Sequence, residues 1–192
     1  MISNFRASAR LWVPALACAL AWAVAAGAAW AEKADRDRPM NIEADRLDHD
    51  EQKKVTLFQG RVVATKGSIV LRGQTLEVRQ EADGAQFGVV LPSAGERAFY
   101  RQKREGLQEF MEAEAERIDY DGRRDRITLT GRAELRRWRG NTLADEIQGQ
   151  VIVYDNLSDQ FTVDGNPRGS RGESGQRVRA VLTPKPRPET GR

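Results

Sequence analysis

Any chemistry in this chain must come from few side chains. Its one His, His49, stands between carboxylates in Asp48-His49-Asp50, an arrangement able to hold a metal ion or pass a proton. Its one Cys is Cys18. One of each cannot build a zinc cluster, a disulfide framework or a Cys/His nucleophilic pair. Arg136-Arg137-Trp138-Arg139 joins cations to an aromatic ring, as nucleic-acid or lipid-phosphate contacts do. A solvated hairpin end is the plainer reading. Asp119-Tyr120-Asp121 repeats the Asp-x-Asp step with Tyr in place of His. Both steps are therefore read as turns, because Asp side chains bond back to nearby amides. Metal, cofactor and catalytic group are all expected to be absent. Asp and Glu abound, but no spacing pairs them for glycoside hydrolysis, and no G-x-x-x-x-G-K-[ST] run would bind a nucleotide.

The elements that must position these residues begin after an address label. Residues 1–10 carry Arg6 and Arg10 and no acid, residues 11–29 carry no charge, and Ala29-Trp30-Ala31 has the small-x-small form of a cleavage site. This is the layout of a secretory signal over 1–31, removed on export. Taking its two arginines from the 31 Lys+Arg leaves 29 against 28 Asp+Glu, a net +1 that argues against nucleic acid. Cys18 leaves with the signal, which suits an oxidising compartment. Residues 32–38 read as a mobile leader. Pro184, Pro186 and Pro188 put a solvated tail at 184–192.

Between them the chain alternates. Ile69 with Leu71, Leu76 with Val78, Ile127 with Leu129, Ala133 with Leu135, and Phe161 with Val163 are period-two pairs. Turns fall at Asp83-Gly84, Asp121-Gly122, Gly140-Asn141 and Asp164-Gly165-Asn166-Pro167. The pattern predicts an all-β sandwich or barrel with strands of about five residues. Leu107, Phe110, Met111, Ala115 and Ile118 are spaced like one face of a helix. An internal repeat overrules that spacing. Residues 40–50 align without a gap to 111–121, and both copies reach Gly-Arg after nine more residues, at Gly60-Arg61 and Gly131-Arg132. The shared signature is M-x-x-E-A-[DE]-R-[LI]-D-x-D-x9-G-R. Two copies of one pattern should share one structure, so 40–61 and 111–132 are both read as strand, Asp-rich turn, strand. The glycines would mark bulges or close backbone approaches.

With these residues quoted, P-M-N-I-E-A-D-R-L, L-F-Q-G-R-V-V-A-T-K-G-S-I-V-L-R-G-Q-T-L-E-V, I-T-L-T-G-R-A-E-L and R-V-R-A-V-L-T-P together resemble the OstA-like, LptA-type family of periplasmic lipopolysaccharide-transport proteins. The resemblance spans about 37–184. It implies one β-jelly roll over 39–183, two antiparallel sheets forming a slightly open V, with no catalytic residues. It implies acyl chains of lipopolysaccharide held on the inner faces, and copies stacked head to tail between an LptC-like inner-membrane partner and an LptD-like outer-membrane partner.

Alternation then assigns Met40, Ile42, Phe58, Val62, Ile69, Leu71, Leu76, Val78, Phe99, Tyr120, Ile127, Leu129, Ala133 and Leu135 to the inner faces. The resemblance implies acyl contact at Met40, Ile42, Phe99 and Tyr120 in particular, whose positions resemble the family's acyl-contacting ones. Core packing is the rival reading for every one of them. The assembly edges would be Met40, Asn41, Ile42, Glu43 and Ala44 at one end, and Val178, Arg179, Ala180, Val181 and Leu182 at the other. The register of 147–154 is left open by the extra length at 140–146. A structural or polysaccharide-adhering envelope domain is the alternative function; a sugar-binding face would want exposed aromatic rings, and the chain offers few besides Trp138 and Tyr100.

Overall fold

The structure, a computed structural model, describes Asp35 and residues 38–104, 107–166 and 177–184. The expected signal, most of the expected leader, residues 105–106 and 167–176, and the expected tail beyond Pro184 lie outside the described residues.

Every regular element among the described residues is a strand, and every pairing is antiparallel. In chain order they are β1 (Met40–Glu43), β2 (Arg46–Asp50), β3 (Val55–Lys66), β4 (Ile69–Gln80), β5 (Gln86–Leu91) and β6 (Ala98–Lys103). Then follow β7 (Glu109–Ala115), β8 (Arg117–Asp121), β9 (Arg126–Arg139), β10 (Thr142–Asp155), β11 (Gln160–Asp164) and β12 (Arg179–Leu182). The repeat was the better guide than the helical spacing, but each copy holds three strands where two were expected: β1, β2 and the start of β3 in the first, and β7, β8 and the start of β9 in the second.

Four strands are far longer than five residues. β3 and β4 have 12 each, and β9 and β10 have 14. Each runs through both layers of the roll. One layer is β2, β3, β4, β5, β8, β9, β10, β11; the other is β1, β3, β4, β6, β7, β9, β10, β12, with different halves of the long strands serving each. The inward side changes parity along β4, from Ile69 and Leu71 to Leu76 and Val78, so one strand reads as two in the sequence.

The repeat signature builds the crease between the layers. Gly60 and Arg61 together oppose Gln74, and Gly131 and Arg132 together oppose Gln150, two residues against one in each bulge. Both glycines have φ near +80° (82° and 80°), and both arginines are also left-handed. Asp45 N–H donates to Gly60 O at 3.0 Å, and Glu116 N–H to Gly131 O at 2.9 Å. The same two acids receive the bulge arginines, Arg61 on Asp45 and Arg132 on Glu116. Arg46–Asp48 and Arg117–Asp119 pair along β2 and β8. Asp50 and Asp121 each accept two turn amides at 3.0 Å. The Asp-x-Asp steps, read as turns, are instead the ends of β2 and β8: the second Asp of each caps the turn that follows, and the first pairs with an Arg of its own strand. His49 bonds Thr56 and Glu51.

Inward positions beside the crease are small: Gly73, Ala98, Ala115, Ala133 and Gly149. A Cβ on Gly149 would come 2.6 Å from Val163 Cγ1, so the layers meet too closely there for a side chain. Farther out the core fills with Leu71, Tyr100, Leu76, Val90, Ile118, Leu129, Leu135, Ile147 and Ile152.

Candidate functional site: the ends of an apolar interior

Cross-strand register lines the inward side chains into rows. In the first layer one row runs Leu47, Phe58, Leu76, Val90, Ile118, Leu129, Ile152, Val163. In the second a row runs Ile42, Ala64, Leu71, Tyr100, Ala113, Leu135, Ile147, Ala180. The middle of each row is sealed, with Leu129 at 0% exposure. Inward apolar positions continue past the cover on the edge strands. Leu47 is 56% exposed at the β2 end, and Phe161 (43%) and Leu182 (67%) are exposed at the β11 and β12 end.

The repeat makes the same point. Leu47 and Ile118 occupy one place in the signature, yet Ile118 is sealed by its neighbours and Leu47 is bare. A core position without its cover asks for a further layer or a ligand.

The proposed lipid residues divide accordingly. Met40, Ile42 and Phe58 lie together on inward faces near the β1–β2 end and are half-buried. Val62, Ile69, Leu71, Tyr120, Ile127 and Leu129 lie in the packed middle, with Leu76, Ala133 and Leu135; Val78 is partly covered against them. Phe99 is not an inner residue. Its neighbours Ala98 and Tyr100 take the buried side, and Arg72 stands over the Phe99 ring at 5.0 Å on the outer face. Tyr100 is likewise no exposed ring: it is sealed, and burial raises its pKa. Leu47 and Leu182 were missed as lining, although the repeat marks the first and the edge alternation the second.

The terminal strands lie where the edge expectation put them. Among the described residues β1 pairs only β3 and β12 only β10, at opposite ends of one layer. β2 and β11 are the corresponding edges of the other layer. The register left open is fixed by two irregularities: Ala144 is an extra residue between Leu143 and Asp145, which sets Gly149 against Ala133, and the bulge opposite Gln150 then sets Val151 against Thr130.

The stretch 136–139 is not a solvated hairpin end. Arg136 pairs with Glu114 and Glu134, Arg137 with Asp145, and Arg139 with Glu109, all largely withdrawn from solvent. Inward Arg137 belongs to a polar closure over a cavity of about 100 Å³ floored by Met111, Leu135 and Ile147. There Arg104, between β6 and β7, pairs with Glu109 of its own layer and with Asp159 of the other. Tyr154 Oη donates to Asp159 at 2.8 Å. Burial pushes the Asp159 carboxyl up, but Arg104 and Tyr154 overcome it and hold the group below its ordinary value. Burial, reinforced by Asp159, pushes the Tyr154 hydroxyl up.

An all-antiparallel roll with a greasy interior and terminal strands at its edges is the geometry of the family to which the sequence points. Residues 41–160 match the family described as LptA/(LptD N-terminal domain) LPS transport protein. The chain belongs to this family. Similar members of the LptA family include the lipopolysaccharide export system protein LptH of Pseudomonas aeruginosa, 31% identical over 85% of this chain and 89% of the relative. The lipopolysaccharide export system protein LptA of Haemophilus influenzae is 30% identical over 84% of this chain and 86% of the relative. The crystal structure of LptH, described as the LptA homologous periplasmic component of the lipopolysaccharide transport device of P. aeruginosa, matches with a TM-score of 0.68 at 27% identity. That match covers 79% of this chain and 99% of LptH, and it establishes the LptA-type β-jelly roll.

Proposed function

We propose that this protein is a periplasmic, non-enzymatic carrier that shields the acyl chains of lipopolysaccharide between the inner and outer membranes. Export by a cleaved signal over 1–31 delivers it there. Head-to-tail pairing of β12 of one copy with β1 of the next extends the interior into a bridge, with an LptC-like partner at one terminus and an LptD-like partner at the other. The observation that carries this reading is inward-facing apolar surface left exposed toward both ends of the roll, at Leu47 on one side and at Phe161 and Leu182 on the other, beside the terminal strands.

The energetics demand such a surface. Each methylene shielded from water is worth about 0.8 kcal/mol, so a twelve-carbon chain represents about 10 kcal/mol. Heterologous edge pairing propagates instead of closing, which suits a span between two membranes. The polysaccharide-adhering alternative is weakened, since buried Tyr100 cannot serve as a sugar platform.

Photocrosslinking from single sites tests the reading. A photoreactive residue at Ile42 or Phe58 should label lipopolysaccharide, and one at outward Phe99 or Arg72 should not. Equal labelling from both sets would sink the carrier.

A further inference from the structure

We infer that Lys66 is an anion-binding group on the rim of the interior, taking a phosphate monoester on the polar end of the lipid whose chains lie within. The inference rests on the carrier reading and names the headgroup chemistry that this site selects.

Lys66 ends β3 on the inward parity of Val62 and Ala64. Its cross-strand partners are Met40 on one side and Ile69 on the other, so it interrupts an otherwise apolar stretch of the inner face. It is only 9% exposed. Among the described residues it has no ion-pair or hydrogen-bond partner. The inward cations toward the other end contrast with it: Arg104, Arg137 and Arg139 are each answered by Glu109, Asp145 or Asp159. Asp35 packs on the turn after Lys66, but it is engaged by the Ser68 amide at 2.7 Å and by the Ser68 hydroxyl.

A cation withdrawn from water without a counter-charge is costly, and Met or Leu here would continue the apolar row at no such cost. The ammonium is nevertheless not among the side-chain atoms wholly cut off from solvent, so a ligand can reach it. A compact point charge with three donors suits a tetrahedral phosphate. Lys66 also stands one inward position farther from the crease than Ala64, whose neighbours Ile42 and Leu71 belong to the apolar row. Chains lying along that row would leave their charged end at Lys66.

The test compares wild type, Lys66→Met and Lys66→Arg on three probes: bis-phosphorylated lipid A, the same lipid enzymatically dephosphorylated, and inorganic phosphate as competitor. Lys66→Met should weaken binding of the phosphorylated lipid about tenfold and leave the dephosphorylated lipid unchanged; Lys66→Arg should retain binding. Unchanged thermal unfolding by circular dichroism certifies the fold of each variant. If wild type and Lys66→Met bind the phosphorylated lipid equally, the role of Lys66 is overturned while the carrier stands. If wild type binds neither lipid, the carrier itself fails. Displacement of lipid A by millimolar inorganic phosphate through Lys66 would make free phosphate the ligand and overturn the headgroup assignment.

Discussion

At the scale of single residues, the crease depends on conformations few side chains accept. Gly131 combines φ +80° with a close neighbour, since a Cβ there would fall 2.9 Å from Glu116 Cβ. Gly84 has a similar φ of +84° with nothing near an added Cβ. The left-handed conformation alone costs a residue with a Cβ about 1–2 kcal/mol. Gly84→Ala should therefore cost about 1 kcal/mol, and Gly131→Ala more, about 2–3 kcal/mol, because Glu116 must also move. Urea unfolding measures both, and equal losses would mean that the Glu116 approach is unimportant. The sequence showed that both Gly-Arg pairs mattered, because the spacing repeats. Their ion partners Asp45 and Glu116 lie inside the same signature, but a pairing across sixteen residues is invisible until the chain folds back. Phe99 was misplaced because short alternating runs fix which residues share a face, and not which face is inward.

At the scale of elements, the ladder decides which positions on the last strand face a partner. Thr183 N–H donates to Ala144 O at 3.1 Å, and Leu182 stands opposite Asp145. Bonding alternates along an antiparallel strand, so the Val181 amide faces β10 and the amides of Ala180 and Leu182 face outward. Ala180→Pro removes an outward donor and should reduce concentration-dependent oligomers in sedimentation velocity, with the β-sheet dichroism intact. Val181→Pro instead breaks the bond to β10 and should loosen β12 itself, seen as faster amide exchange along 179–182. Undiminished oligomers in Ala180→Pro would remove β12 from the assembly. Element type and order were legible in turn residues and period-two pairs. Strand length was not, because a strand that changes layers reverses its inward parity where the sequence shows no break.

At the scale of the whole roll, the two layers are held unequally along their open margin. Toward the β11–β12 end Arg104 of one layer binds Asp159 of the other, Tyr154 supports Asp159, and Glu109 joins Arg104 to Arg139. Toward the β1–β2 end, among the described residues, Lys66 has no such bond to His49 or Thr56. Ile147 is accordingly sealed, while Ile42 is half-covered. Asp159→Asn removes the ionic part of the closure while leaving an acceptor for Tyr154. The carboxylate is half-exposed, so the expected loss at neutral pH is about 1 kcal/mol. Its folded pKa lies below its unfolded value, so the stabilisation is full above the unfolded pKa, near 4, and fades as pH falls through the folded pKa. Wild type and Asp159→Asn should therefore differ in urea midpoint at pH 7 and converge in strong acid. A photoreactive residue at Ile147 should label lipid in Asp159→Asn and stay silent in the wild-type background. A pH-independent difference in midpoint would deny the ion pair its role. Equal labelling from Ile147 in both backgrounds would show that the interior opens without releasing this closure.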